Sequence, residues 1–141
     1  MPQHFTYSKG IVYTPILLNA IGVSTSPLTV SSNAQLVAGA KAVAIEFTSA
    51  ATTTRSGVLT ITVSMDGGTT YQAYSMLISN AANNATGTLT RVASITRATS
   101  GTDICWMTPE TLGAITHIKA TLVITDSTPV GTMTVRAVIC Y

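Results

Sequence analysis

Apolar and polar residues alternate with a period of two along most of the chain after residue 27. Four segments show the pattern most clearly: 41–48, 58–64, 115–125 and 132–141. Shorter apolar segments that fit the same description lie at 28–30, 71–78, 88–96 and 103–107. A period of two places alternate side chains on opposite faces of a strand, so each segment is expected to turn one face toward a core. The pattern predicts seven or eight strands.

Helix signals are sparse. Thr108, Pro109 and Glu110 form a credible helix start, because Thr can cap, Pro suits the first helical position and Glu favours the positive end of the dipole. Gly113 is expected to end this helix within about a turn. Many short strands, polar turns and at most one helical turn indicate an all-β protein with a single β-sandwich. A jelly roll or related Greek key is the first choice, and an immunoglobulin-like topology is the second.

Two regions differ in character. Residues 1–26 are irregular and Pro-containing and predict an extended N-terminal arm with one short strand around 11–18, while residues 27–141 form the sandwich. The arm must bury its apolar side chains either on its own domain or on a neighbouring subunit, and both alternatives remain open. The candidate interface residues are Phe5, Tyr7, Tyr13, Ile16 and Leu17.

Charge is scarce in this chain. Asp, Glu, Lys and Arg make up 9% of the 141 residues, against about 25% in an average soluble domain. Thr and Ser supply the polarity instead and account for more than a quarter of the sequence. Thr is β-branched and suits a pleated, half-buried surface. A surface with so few charges is poorly protected against self-association, which indicates that other copies or a larger assembly cover it.

The few charges also bear on partners and location. The net charge is +2 and the cations are scattered, whereas nucleic-acid binding needs clustered phosphate contacts, so no nucleic-acid partner is expected. No segment approaches the ~20 apolar residues of a membrane helix. The first ten residues lack the features of a secretory signal. We therefore expect a protein that is made and kept in a cytoplasm or released by lysis.

The two cysteines, Cys105 and Cys140, lie far apart in strand-like segments. Pairing across strands is possible in principle. Two buried free thiols are the preferred interpretation, because a cytosolic chain of this length does not need a disulfide. Neither the cysteines nor His4 and His117 have the short spacing of a metal site, so no metal is expected.

The strongest turn signal lies within residues 64–71, S-M-D-G-G-T-T-Y. This segment resembles the Asp-box, a β-hairpin turn found in sialidases and other β proteins, with Tyr71 in place of its Trp. Asp66 is expected to accept hydrogen bonds from turn amides, and Gly67 and Gly68 permit positive φ angles. We interpret the three residues as a structural turn. A calcium or sugar contact at Asp66 is the alternative.

Catalytic patterns are missing from the sequence. Its carboxylates are Glu46, Asp66, Asp103, Glu110 and Asp126. Glycoside hydrolysis needs two facing carboxylates, but turns and strand ends explain the Asp residues, and a neighbouring cation explains Glu46. Candidates for that cation are Arg91, Lys119 and Arg136. There is no G-x-S-x-G elbow and no Gly-rich phosphate loop before a helix. No catalytic residue and no cofactor are predicted.

Aromatic residues raise a second possibility. Trp106 and Tyr74, together with Tyr71 and Tyr141, could form a platform on which a sugar stacks. The single Trp lies between Cys105 and Met107 in an apolar segment, so packing in the core is the preferred interpretation. Trp106 and Tyr74 are kept as candidate ligand residues.

The Pro-containing apolar arm, the Thr-, Ala-, Ser- and Asn-rich loops, the hairpin at 63–71 and the final T-V-R-A-V strand form a combined pattern. In this pattern the chain resembles head decoration or cement proteins of tailed phages, of the β-sandwich type. The resemblance covers most of the chain and carries over no functional residue. It implies a non-enzymatic virion protein that forms homo-oligomers, often trimers, and clamps neighbouring subunits of the major capsid protein.

Three hypotheses follow. The first is a structural virion component, either a capsid decoration protein or a neck or tail piece. The second is a carbohydrate-binding module, which requires Trp106 or Tyr74 to be exposed beside a polar loop. The third is an enzyme, which has only scattered carboxylates in its favour and is not expected.

Overall fold

The structure is a computed structural model that describes residues 11–22, 28–50, 56–79, 89–97, 100–125 and 131–141. These residues contain thirteen strands and one helix. The elements are β1 (Val12–Tyr13), β2 (Ile16–Ile21), β3 (Leu28–Ser31), β4 (Gln35–Leu36), β5 (Ala42–Ser49), β6 (Gly57–Ser64), β7 (Gln72–Tyr74), β8 (Met76–Ser79), β9 (Leu89–Val92), β10 (Ile95–Arg97), β11 (Gly101–Trp106), α1 (Pro109–Leu112), β12 (His117–Ile124) and β13 (Met133–Cys140).

The strands form two antiparallel sheets. Sheet A has the order β1-β13-β5-β11-β8-β9, and β2 also pairs with β13. Sheet B has the order β10-β6-β12-β3, with β4 also on β12 and β7 also on β6. Consecutive elements repeatedly change sheet, as from β5 to β6 and from β12 to β13. The sheets therefore lie face to face around one core.

The strand order is that of a jelly roll. Four strands of sheet A, in the order β2-β13-β5-β11, face four strands of sheet B, in the order β3-β12-β6-β10. This is the arrangement of two interlocked Greek keys. The predicted all-β sandwich is confirmed, and its first-choice topology is the one observed. The strands outnumber the predicted seven or eight because short pieces flank the main strands and because β8 and β9 extend sheet A.

Alternating side chains build the core from both sheets. In β5 the inward side chains are buried and the outward ones are only half-buried or exposed, as the period-two pattern predicts. The same alternation occurs in β6, β12 and β13. Large side chains that are almost completely buried are Ile45, Phe47, Leu59, Ile118, Leu122, Ile124, Met133 and Ile139. Each such side chain stabilises the fold by about 1.5–3 kcal/mol relative to exposure.

The described part of the N-terminal arm lies along β13 of the same chain. Where one strand was expected around 11–18, two form, β1 and β2, because Pro15 between them has no N–H to donate to the ladder. The Pro15 carbonyl nevertheless accepts a hydrogen bond from Ala137 N–H at 2.9 Å. The pairing of β2 is irregular, and Ala20 adopts a positive φ of 46° there. Leu18 is buried, so this strand contributes to the core.

The predicted helix start is confirmed at α1. Thr108 occupies the N-cap position, but its side chain makes no capping hydrogen bond and instead contacts the Tyr74 and Thr111 hydroxyls at 3.0 and 2.8 Å. Gly113 follows the helix with an ordinary right-handed φ of −62°, so no left-handed cap is present. None of the helices in the described ranges has the length and apolarity that a membrane crossing requires.

Candidate interaction surface

The Asp66 side chain organises the turn that joins β6 to β7. Its Oδ1 accepts hydrogen bonds from the Ser64 hydroxyl at 2.7 Å, from Thr69 N–H at 3.1 Å and from Thr70 N–H at 2.9 Å. Its Oδ2 accepts one from the Thr70 hydroxyl at 2.7 Å. Ser64 Oγ in turn accepts Gly68 N–H at 2.9 Å. The carboxylate is therefore used mainly by its own loop, which favours a structural turn over a ligand site.

The same contacts set the charge state of Asp66. Hydrogen bonds from Thr70 N–H, from the Ser64 and Thr70 hydroxyls and from Thr69 N–H hold the pKa of this carboxyl well below its usual range. These donors stabilise the ionised form, because each points at a carboxylate oxygen that a proton would compete for.

The contribution of Asp66 to the stability of the fold should consequently decrease in acid. A group whose pKa is lower in the folded than in the unfolded state stabilises the fold above its unfolded pKa of about 3.9 and loses that effect as pH falls. We expect wild type to melt a few degrees above Asp66→Asn at pH 7, and the difference to shrink between pH 4 and pH 2. Melting followed by circular dichroism at each pH checks this. A difference that stays constant over the whole pH range would contradict it.

Tyr71, which takes the aromatic position of the Asp-box, packs against the turn. A Cβ on Gly68 would lie 3.3 Å from the Tyr71 hydroxyl oxygen, and Gly68 has a φ of +92°, so this position requires glycine. The Lys119 ammonium nitrogen lies 4.2 Å from the centre of the Tyr71 ring, a cation–π contact. The Tyr71 hydroxyl is buried and has no hydrogen-bond partner among the described atoms.

A shallow groove of about 370 Å³ adjoins the turn. Its walls include Met65, Gln72, Tyr74, Glu110 and Thr111. A smaller recess of about 170 Å³ next to it includes Asp66 and Thr70. Within the described ranges, no three His, Cys, Asp or Glu side chains come together as a metal site.

The outer face of sheet A is largely apolar. Directly paired residues share a face of a sheet, and the register therefore defines rows that cross the strands. The first row consists of Arg91, Leu77, Trp106, Ala44 and Val138. The second row consists of Ile104, Glu46, Arg136 and Ile16. The third row consists of Thr102, Thr48 and Thr134. We call these twelve residues, together with Val12 beside Cys140, the sheet A face.

Large apolar side chains on this face are exposed. The exposed fractions are 38% for Trp106, 42% for Ile104, 48% for Ile16 and 58% for Val12. The charged residues of the face are Glu46 and Arg136 at the centre and Arg91 at the β9 end of the first row. Clusters of exposed apolar side chains frequently serve as interaction sites, which makes the sheet A face the candidate interaction surface.

Glu46 and Arg136 lie at the centre of the face on neighbouring strands. Arg136 Nη1 is 3.9 Å from Glu46 Oε2, and their side chains are 46% and 34% exposed respectively. Of the three cations expected as partners of Glu46, the structure selects Arg136. The distance is long for an ion pair, and a pair this exposed contributes at most about 1 kcal/mol.

The outer face of sheet B has a different character. Its rows are threonine-rich: Thr60, Thr121 and Ser31 form one, and Thr62 and Lys119 are paired in the next. The Ser31 and Thr121 hydroxyls are 3.0 Å apart and hydrogen-bonded. The outer face of sheet B is thus richer in hydroxyl groups than the sheet A face, although Val58 and Val123 are paired in a further row.

The structure separates the two candidate ligand residues. Trp106 is not packed in the core as preferred above; it projects outward because its neighbours Cys105 and Met107 take the inward and buried positions. Tyr74 is not an exposed stacking residue. It points inward, and its hydroxyl is hydrogen-bonded to the Thr108 and Thr111 hydroxyls at 3.0 and 2.6 Å. The two side chains therefore do not form one platform.

The candidate arm residues divide in a similar way. Tyr13 and Ile16 are exposed at the edge of sheet A, and Leu17 is half-buried against the core. Phe5 and Tyr7 lie outside the described residues. Of the three described residues, only Ile16 belongs to the sheet A face.

Two apolar residues of this surface, Ile104 and Leu77, were not singled out from the sequence. In the segment D-I-C-W-M of residues 103–107 both faces of the strand are apolar, so alternation cannot tell the inward from the outward positions. The register with β5 supplies that information, because Ile104 pairs with the outward-facing Glu46.

Both cysteines are free, as preferred from the sequence, but only Cys105 is buried, because Cys140 takes an outward, half-buried position at the end of β13. Cys105 is completely buried, and burial together with the Asp103 carboxylate raises the pKa of its thiol to about 12. Such a thiol is inert in the folded protein. His117 is half-buried on β12 with its Nδ1 3.1 Å from the Thr116 hydroxyl oxygen.

Comparison with known proteins assigns no family to this chain. No family model and no curated protein matches the sequence. Among solved structures, a chain in the structure of infectious bursal disease virus, Gx strain, is similar with a TM-score of 0.46 and 13% sequence identity. The alignment covers 92% of this chain and 33% of that chain, so this chain spans about a third of its length.

Proposed function

We propose that the protein is a structural component of a virus particle, in particular a head decoration or cement protein of a tailed phage. The observation that carries the proposal is its nearly uncharged exterior, on which large exposed apolar side chains gather on the sheet A face. In this proposal the protein has no enzymatic activity, forms homo-oligomers and bridges subunits of the major capsid protein. It acts in the virion after synthesis in the host cytoplasm.

Physical chemistry supports this role. Decoration proteins strengthen a shell by burying area across the joints between its subunits. A threonine-rich face, such as the outer face of sheet B, makes many modest hydrogen bonds without the desolvation cost of buried charge. Repeated copies make individually weak contacts durable, because each further contact of an attached oligomer is intramolecular. Jelly rolls serve both capsid and lectin domains, so the fold alone does not decide between the candidates.

The copy number of the chain in particles tests the proposal. Particles are purified from a lysate of the host that carries the gene, and the chain is quantified against the major shell protein by mass spectrometry with labelled peptides. Near-stoichiometric amounts are expected for a shell-wide decoration protein. A few to a few dozen copies would indicate a vertex, neck or tail protein instead. Absence from the particles would overturn the virion proposal.

A carbohydrate-binding module is the second candidate, because Trp106 is exposed. Its immediate neighbours in the row, Leu77 and Ala44, offer no hydrogen bonds to sugar hydroxyls, and Arg91 lies beyond Leu77. Sugar recognition combines stacking with such hydrogen bonds, so these surroundings favour a protein contact. Trp106 is the only Trp of the chain, and its fluorescence therefore reports directly. Titration with a broad glycan panel is expected to leave the emission unchanged; saturable quenching would favour the carbohydrate module.

A further inference from the structure

We propose that the sheet A face binds a second copy of the same chain, face to face, around a two-fold axis. This proposal rests on the proposed function, in which the protein forms homo-oligomers. It names the partner, a second copy of the chain, and the surface through which the two copies make contact. The partner surface is identified by the positions of charge and apolar groups on the face.

The two charges at the centre of the face are complementary to those of a second copy. Glu46 on β5 and Arg136 on β13 are directly paired residues on adjacent strands. In the proposed dimer, the sheet A faces of two copies lie against each other. The two-fold axis lies between these faces, runs parallel to the strands and passes between β5 and β13. Rotation about this axis brings each residue of β5 opposite a residue of the partner's β13. Glu46 then meets the partner's Arg136, and Arg136 meets the partner's Glu46, as an isologous contact requires.

The apolar residues match under the same operation. Ile104 on β11 comes opposite the partner's Ile16 at the sheet edge, since the two residues occupy opposite ends of the second row. Ala44 comes opposite the partner's Val138, and Trp106 comes opposite the partner's edge between β1 and β2. Exposed apolar side chains therefore meet one another, and the two charge pairs lie at the centre.

The size of the face fits a stable contact. Under this rotation four strands, β11, β5, β13 and β2, lie opposite the partner's strands; at a spacing of about 4.8 Å and up to eight residues with a rise of about 3.4 Å they give a contact of roughly 19 by 27 Å, or about 500 Å² in projection. The accessible area of the corrugated side chains is larger than this projection, and a standard interface buries about 800 Å² per partner. Aligned packing of two sheets about 10 Å apart is a common arrangement of β-sandwiches.

This contact has a consequence for assembly. A two-fold face produces an even number of copies, in place of the trimer that the resemblance to decoration proteins implies. It also leaves the threonine-rich outer face of sheet B free for contact with a shell. The sheet A face and the outer face of sheet B would thus serve two different partners.

Charge reversal of the full-length chain tests the proposal. Glu46→Arg leaves only positive charge at the centre of the face, and Arg136→Glu leaves only negative charge. Like charges then face each other in both homodimers, so each variant is expected to raise the dimer dissociation constant at least about tenfold. An equimolar mixture of the two variants restores opposite charges across the contact and is expected to recover dimers. Sedimentation velocity of each variant and of the mixture measures this.

The mixture of the two variants is the decisive measurement, because a contact within one chain cannot be restored by adding a different chain. Lys119→Glu, on the outer face of sheet B, changes the net charge as much as Arg136→Glu and is expected to leave the dimer intact. Melting temperatures verify that the variants are folded. A wild type that is monomeric or trimeric at tens of micromolar, or a mixture that fails to associate, would overturn the proposal. Particle copy number is measured separately, so dimers absent from particles would reject only the virion role.

Discussion

Phe47→Ala is expected to lower the free energy of unfolding by about 3–5 kcal/mol. Phe47 is completely buried on the inner face of β5, where it is paired with Val135 on β13 and Asp103 on β11. Truncation to alanine removes the transfer free energy of the buried ring. It also leaves a cavity that the sandwich cannot close, because β5 is held by ladders to both β13 and β11. Since domains of this kind are stable by about 5–15 kcal/mol, the loss is a large part of the total. Urea unfolding followed by circular dichroism measures it.

Two controls sharpen this prediction. Phe47→Leu retains most of the buried volume and should cost clearly less than the alanine variant. Thr48→Ala alters the next residue on the same strand, which faces outward and shares a 3.0 Å hydrogen bond with the Thr102 hydroxyl, so the expected loss is within about 1 kcal/mol. Equal losses for Phe47→Ala and Thr48→Ala would contradict the assignment of the inner and outer faces of β5.

The position of the Phe47 ring also explains why residue 57 is a glycine. A Cβ on Gly57 would lie 3.3 Å from the tip of the Phe47 ring and still closer to the Met133 thioether. Gly57 begins β6 in sheet B, whereas Phe47 and Met133 belong to sheet A. The missing side chain therefore lets the two sheets approach closely at this end of the sandwich. The glycine is a packing requirement that the alternation pattern does not reveal.

Deletion of residues 1–22 is expected to lower the melting temperature by about 10 °C or more relative to a deletion of residues 1–10. The longer deletion removes β1 and β2, which pair with β13, and the shorter deletion retains them. It removes the buried Leu18 and leaves the ladder groups of β13 without their partners. An unpaired edge of this kind also promotes aggregation. Thermal melting and dynamic light scattering of the two truncated chains test both effects.

Point variants in β2 distinguish the contribution of side-chain packing to stability from the contribution of strand pairing. Leu18→Ala removes a side chain that is only 4% exposed and should be clearly destabilising, by about 2–5 kcal/mol. Ile16→Ala, on the same strand but outward-facing, should change stability little. Equal melting temperatures of the two truncated chains would show that β1 and β2 contribute nothing to the sandwich. The arm would then be a separate segment, as the alternative in which it reaches a neighbour requires.

In the fold, the uncharged surface residues are distributed unequally between the two sheets. Thr and Ser replace charged residues throughout the sequence, yet the outer faces of the two sheets differ. Hydroxyl groups dominate the outer face of sheet B, while Trp106, Ile104, Ile16 and Val12 are exposed on the sheet A face. Composition alone predicts a surface that associates; the strand register shows which surface is apolar and how its charged residues are arranged.

Local signals in the sequence were sufficient for several features. Alternation in β5, β6, β12 and β13 predicted both the strands and their inward residues, because a half-buried strand must alternate regardless of its partner. The D-G-G turn after β6 and the T-P-E helix start were recognisable because backbone geometry and capping depend on neighbouring residues. The arm and the segment around Trp106 were less predictable, because Pro15 divides the one strand and both faces of the other are apolar.

By itself, the sequence determined the all-β class, the sandwich, the main strands, the turn at Asp66 and the unusually uncharged exterior. These depend on short-range periodicity, turn chemistry and composition. Tertiary structure decided the jelly-roll order, the inward position of Tyr74, the outward position of Trp106, and Arg136 as the cation beside Glu46. Each of these depends on which strands are paired and in what register. Residues on paired strands are far apart in sequence, so no local pattern records that they share a face of the sheet.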